Sequence, residues 1–159
     1  MLNKGKAFEN IVRQDWKKSF PGTLVFRLKD QMNGFKETSQ NPSDWIMFNG
    51  KHLFFIECKS HKGSSIPFAA MPQYERLFAY KNLKNVCAGF VIWFLEKDLV
   101  IYVPIQTAEQ IVKDGEKSIG LRMLDKYDIV KIPSVKKRVF MESNYKILEE
   151  WADKHCNNI

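Results

Sequence analysis

Three ionic side chains, Asp44, Glu57 and Lys59, are spaced so that a β-hairpin would aim them at one point. Asp44-Trp45-Ile46-Met47-Phe48 leads into Asn49-Gly50, and the stretch Lys51 to Ser60 follows. Asn-Gly supplies the positive φ angles of a tight two-residue turn, so the pattern reads as a hairpin. With that turn Phe48 pairs with Lys51 and Asp44 pairs with Phe55. Side chains alternate along a strand, which sends Glu57 and Lys59 to the face of Phe55. Opposed residues share a face, so Asp44 joins them. Asp44 and Glu57 become diagonal neighbours, roughly 7–8 Å apart at Cα and near enough to reach one cation together. A symmetric lengthening of the turn preserves this parity, whereas a β-bulge breaks it.

Two carboxylates converging beside apolar side chains repel each other and lose hydration. A divalent ion that prefers hard oxygen ligands offsets both costs, which favours Mg²⁺, with Mn²⁺ as a substitute, over zinc. Such an ion polarises a phosphodiester and stabilises its leaving oxygen, while Lys59 orients or helps deprotonate the attacking water. The plainer alternative is a Glu57–Lys59 ion pair at a strand end, with Asp44 a solvated turn residue.

Two helical positions weigh against that alternative. With Phe8 at zero, Glu9 lies at about 100° on a helical wheel, inside the arc of Val12, Trp16 and Phe20. A carboxylate facing the core needs a partner, and a metal held by the hairpin supplies one. Asp15, about 20° outside the arc, is read as solvated. Gln73 shares a stripe with Leu77 and Tyr80 on a later helix, where an inward amide would hold a water or a metal-bound carboxylate. A capping or turn role is its plainer reading.

The elements that position these groups follow from periodicity. Residues 3–20 form a helix stopped by Pro21-Gly22, and Thr23 to Lys29 form a strand. Asp30 to Ser43 is polar, aperiodic and long for a connection, hence a loop or protruding arm. Pro72 opens a helix to about Lys84. Val86–Leu95 and Leu99–Ile105 pair through a turn at Glu96-Lys97-Asp98, Thr107 to about Lys113 is a short helix, and Tyr127–Ile132 is a last strand. An amphipathic helix over 144–155 closes the chain. The hairpin is apolar on both sides, with Ile46, Phe48, Leu53 and Phe55 on one and Trp45, Met47, Phe54 and Ile56 on the other. The expected fold is therefore α/β, a mixed sheet flanked by helices in one domain spanning 1–159.

Bulk properties narrow the function classes. The chain has 159 residues, 25 Lys and Arg against 18 Asp and Glu, and a net charge of +7, which suits a polyanionic partner. The cations are dispersed rather than gathered in a tail. No apolar run approaches the roughly 20 residues of a membrane span, and no signal-peptide core follows Met1. The expectation is a soluble, cytoplasmic protein without a membrane partner. Cys58, Cys87 and Cys156 lack CxxC spacing and are expected to form neither a disulfide framework nor a zinc site. His52, His61 and His155 are scattered and are not read as ligands.

Pro42-Ser43-Asp44 followed by Glu57-Cys58-Lys59 resembles the signature of the PD-(D/E)xK nuclease superfamily, one residue longer than a strict Pro-Asp. Gly5-Lys6-Ala7-Phe8-Glu9 resembles the start of RecU-type Holliday junction resolvases. Ser60 after the Glu-Cys-Lys element, then Ile66-Pro67-Phe68 and Gln73-Tyr74, resembles the same group, so the likeness covers roughly 4–105. It implies a restriction-endonuclease-like core and a Mg²⁺-dependent endodeoxyribonuclease of DNA recombination and repair. A homodimer would nick a four-way DNA junction symmetrically. Asp44, Glu57 and Glu9 would bind metal, Lys59 would act on the water, and Gln73 would complete the site. Residues 30–43 occupy the place of a stalk that enters the junction, with Arg27 and Lys29 leading into it and, with Lys62, contacting phosphates. The chain departs from that group in lacking a long basic arm before its first helix, as a short, phage-type version would. The alternatives are a nuclease of the same fold acting on a restriction site, mismatch or fork, and a non-catalytic junction-binding protein.

Overall fold

The structure is a computed structural model, and it describes residues 4–28 and 41–156. The element order is α1 (Lys4–Ser19), β1 (Val25–Arg27), β2 (Trp45–Phe48), β3 (Leu53–His61), β4 (Ser65–Pro67), α2 (Tyr74–Phe78), β5 (Val86–Phe94) and β6 (Leu99–Pro104). There follow α3 (Ile105–Lys113), β7 (Ser118–Gly120), β8 (Val130–Lys131), β9 (Ser134–Lys136), β10 (Met141–Ser143) and α4 (Ile147–His155). Among the described residues, six strands form one sheet in the order β1-β2-β3-β5-β6-β8. Only β3 and β5 run parallel within it; the other pairings are antiparallel.

The two-faced pattern of the hairpin explains why helices cover both sides. Trp45, Met47, Phe54 and Ile56 join Phe8, Val12 and Trp16 of α1 and Leu148 and Trp151 of α4 in one core. Phe55, Ile46 and Leu53 join Leu77 of α2 and Ala108 and Ile111 of α3 in the other. Trp16 is fully buried between Phe20, Phe54 and Tyr145, with ring centroids 4.9, 5.1 and 5.6 Å away. Burying a large apolar side chain stabilises by about 1.5–3 kcal/mol, so this α1 stripe holds the helix firmly to the sheet. At Gly89 a Cβ would come within 2.6 Å of the Val103 carbonyl oxygen, so β5 and β6 approach there as only glycine allows.

Several expectations are corrected. The hairpin turn has four residues, not two: Phe48 pairs with Leu53 and Trp45 with Ile56. Asn49 is buried and its Oδ1 accepts the backbone N–H groups of Lys51 and His52, while Gly50 takes φ 98°. The amide cap thus favours the wider loop over the two-residue turn. The helix opened by Pro72 is only Tyr74–Phe78. The strands foreseen at 23–29 and 127–132 shorten to β1 and β8, and the small antiparallel pairs β4–β7 and β9–β10 arise from segments without clear period.

Asp15 is not solvated. It is 3% exposed, and its Oδ2 accepts the Ser143 N–H at 2.9 Å, tying α1 to β10. Cys87 and Cys156 form a disulfide with Cα atoms 6.3 Å apart, joining the start of β5 to the end of α4, contrary to the reading of the cysteine spacing. No described helix is long and apolar enough to cross a membrane. The foreseen arm at 30–43 falls outside the described residues except for 41–43.

Candidate active site

The longer turn moves the register by two residues and keeps its parity. Continuing the ladder from Trp45↔Ile56 sets Asp44 directly opposite Glu57 rather than diagonal to it. Both belong to the face of Ile46 and Phe55, and Lys59 follows on the same side. The two acids hold each other's strand. Oε2 of Glu57 accepts the Asp44 N–H at 3.0 Å, and Oδ2 of Asp44 accepts the Cys58 N–H at 3.0 Å. Asp44 is fixed further by its own carbonyl, which accepts the Leu28 N–H at 2.9 Å. Just before it, Ser43 Oγ donates to the Trp45 carbonyl at 2.7 Å, and Arg76 of α2 donates to the Asn41 carbonyl at 3.0 Å.

Glu57 is 3% exposed, and burial pushes its carboxyl up to about 8, with repulsion from Asp44 adding to the rise. Burial also raises Asp44, against the lowering pull of the Cys58 amide, Lys59, a hydrogen bond from Glu57, and Arg27. Both shifts favour the protonated form, so the metal-free pair is biased toward retaining a proton between its two carboxyls. Lys59 Nζ stands 3.7 Å from Glu57 Oε1, and its side chain is one-fifth exposed. The site is a buried carboxyl pair that burial and mutual repulsion bias toward holding a proton, with Lys59 at its edge among the described residues.

Other anticipated residues are placed less centrally. Glu9 faces inward, its side chain 16% exposed, and Arg27 Nη2 pairs with its Oε2 at 2.9 Å. Arg27 in turn lies 5.9 Å over the Trp45 ring, on the α1 face of the sheet. Burial raises the Cys58 thiol, and the charges of Asp44, Glu57 and Glu9 add to the rise. Among the described residues, however, no three His, Cys, Asp or Glu side chains gather as a metal cage, so Glu9 stands outside the Asp44–Glu57 pair. Gln73 immediately precedes α2, on the face to which the pair projects. It makes no side-chain cap, and its Oε1 is buried without a hydrogen-bond partner among the described residues. Lys62 is exposed just beyond β3, and Lys29 lies outside the described residues. Sequence reasoning missed Arg76 and the Cys58 amide. Arg76 sits three residues after Gln73 and shares its helical stripe, a usable signal, whereas a backbone N–H carries none.

No family model matches the sequence, and no curated protein matches it. Among solved structures, the chain is similar to that of Archaeoglobus fulgidus Hjc, a Holliday junction resolvase from an archaeal hyperthermophile. The match has a TM-score of 0.57 at 20% sequence identity and covers 77% of this chain and 93% of that one. The mixed sheet flanked by helices that the sequence led one to expect is the fold of this chain, and the similarity to that structure extends over most of it.

Proposed function

We propose that the chain is a metal-dependent, structure-selective DNA endonuclease, with a Holliday junction resolvase as its closest functional type. The observation that carries this reading is the buried Asp44–Glu57 carboxyl pair with Lys59 beside it on one sheet face. The likeness to a solved resolvase, the net charge of +7 and the motif resemblance support it.

The donor set fits a hard divalent cation. Asp44 and Glu57 each commit one oxygen to a backbone N–H and turn the rest of the carboxylate to the shared proton, which a cation would replace. Mg²⁺ commonly takes one or two carboxylates and completes its shell with water and substrate phosphate, so two acids suffice. Gln73 Oε1, buried without a partner, is a natural acceptor for such a water. When bound, the ion supplies Lewis-acid polarisation of the phosphodiester and stabilises the leaving oxygen. Lys59 orients the attacking water and helps remove its proton. Asp44 and Glu57 hold their geometry through the opposite strand's amides. Arg27 and Lys62 contact flanking phosphates, and Glu9 fixes Arg27. Symmetric nicking of a four-way junction requires two such sites, hence a homodimer.

The test uses labelled four-way junction and linear duplex, each with Mg²⁺ or with EDTA. Paired nicks in the junction only, and only with metal, are the expected result. Equal cutting of duplex would point to a nuclease of other specificity. Tight junction binding without cleavage in Mg²⁺ or Mn²⁺ would sink the enzymatic reading.

A further inference from the structure

A concave site lies on the opposite face of the sheet from Glu57. It is a cavity of about 550 Å³ between the first turns of α1, the end of β5 and the β9–β10 hairpin. Ile11, Trp93 and Phe140 line its interior, and Lys4, Lys137 and Arg138 line its edge. One acid, Asp98, is present, and Lys136 Nζ neutralises it at 2.8 Å. Among the described residues that line it, three cations are left around an apolar, aromatic interior.

The hairpin that forms one wall is well anchored. Lys137 N–H donates to the Phe140 carbonyl at 2.8 Å, closing a turn that leaves Arg138 exposed and Val139 77% exposed. Trp93 packs on Phe8 with centroids 5.5 Å apart, and its indole N–H is buried without an acceptor among the described residues. In the β3–β5 register Trp93 pairs with Ser60, one position past Lys59↔Ile92. Glu57 pairs with Phe90, three residues before Trp93, so the cavity lies across the sheet from the carboxyl pair and about 10 Å further along the strands.

We propose that this pocket binds an unpaired nucleotide of single-stranded DNA, with the base inside and its phosphates on the Lys4, Lys137 and Arg138 edge. A duplex backbone needs cations but has no use for an aromatic cavity. An unstacked base needs both, because its π-face stacks on aromatic walls while the backbone follows positive charge. The proposal deepens the nuclease reading and rests on it, by naming unpaired strand near the branch as what is held beside the cut.

Its test is separable from catalysis because it is run in EDTA. Fluorescence anisotropy of labelled oligothymidylate and of labelled linear duplex is measured with wild type, Arg138→Glu and Val139→Asp. Both changes are at exposed positions. Single-strand affinity should fall about tenfold or more in each variant, with duplex affinity falling much less. Equal losses for single strand and duplex would reduce the pocket to part of a general basic surface and overturn the proposal. Unchanged oligothymidylate binding, or tighter binding of a labelled Glu/Leu peptide than of the oligonucleotide, would overturn it as well. Loss of junction cleavage by wild type would leave this measurement intact, so failure of the nuclease reading is seen independently.

Discussion

Glu57 and Asp44 are each fastened by the strand that carries the other: one carboxylate accepts the Asp44 N–H, and the other accepts the Cys58 N–H. Two acids that repel are held together by amides that cannot move without unzipping β2 from β3. The geometry is built before any ligand arrives, which is what electrostatic preorganisation requires.

Replacing Asp44 by Asn or Glu57 by Gln should lower junction cleavage by at least about a hundredfold while junction affinity changes only a few-fold, because phosphate contacts carry most of the binding. Cleavage gels and anisotropy on the same preparations check both halves. Cleavage by either variant at the wild-type rate would remove these residues from the mechanism.

The raised Glu57 carboxyl makes metal-free stability depend on pH in a defined direction. The folded protein keeps this proton up to about pH 8, whereas the unfolded chain releases it near the ordinary 4.5. Between those values the unfolded state binds fewer protons, so stability falls as pH rises. Asp44 and Asp15, both raised by burial, act in the same sense. Urea midpoints in EDTA should decline across this window, and Glu57→Gln should flatten the decline. Mg²⁺ must displace the shared proton, so its binding at about pH 7 should release protons, read by calorimetry in buffers of different ionisation heat. A flat profile in wild type would contradict the buried, protonated pair.

Arg76→Ala removes the donor that holds the Asn41 carbonyl, three residues before Asp44. Misplacement of a reacting group by about 1 Å can cost on the order of a hundredfold in rate. A kcat reduction of about ten- to a hundredfold is expected, with KM and the unfolding midpoint nearly unchanged. A purely structural role would instead show as lost stability with kcat intact.

Asp15→Ala leaves the buried Ser143 N–H without its acceptor and should destabilise by about 1–3 kcal/mol, while Asp15→Asn keeps an acceptor oxygen and should cost about 1 kcal/mol or less. Urea denaturation measures both. Cleavage per folded molecule should not change, because this contact lies on the α1 face, away from the carboxyl pair.

Junction affinity should fall at least about tenfold between about 50 and 200 mM salt as phosphate-bound counterions are released and rebound. A salt-independent constant would argue against a cationic contact surface.

The grouping of the candidate site residues was readable from sequence where it depended on parity. Strand alternation alone puts Asp44, Glu57 and Lys59 on one face, and that survived a turn two residues longer than Asn49-Gly50 suggested, since Lys51 and His52 both join the turn on the β3 side and shift the partner by two, an even number. The turn length itself was not readable, because Asn49 spends its side chain on the amides of Lys51 and His52. Asp15 was misread for a similar reason: its partner, Ser143, lies 128 residues away in a strand without periodic signal. Glu9 was correctly read as inward-facing, but the wheel could not reveal that Arg27 would meet it. Cys87 and Cys156 show the same limit, since their pairing depends on where α4 ends and not on spacing.

The Leu28 N–H to Asp44 carbonyl bond has a consequence for how such a protein can diversify. It brings together the two feet of the segment between them, one hydrogen bond apart, so that whatever joins them begins and ends on a fixed base. Doubling the length of a closed connection costs only about 0.6 kcal/mol in chain entropy. Insertions, deletions or wholesale exchange of residues 29–40 would therefore leave both feet of the connection and the Asp44–Glu57 pair beside them in place, so that under the proposed function substrate choice could be altered apart from the pair.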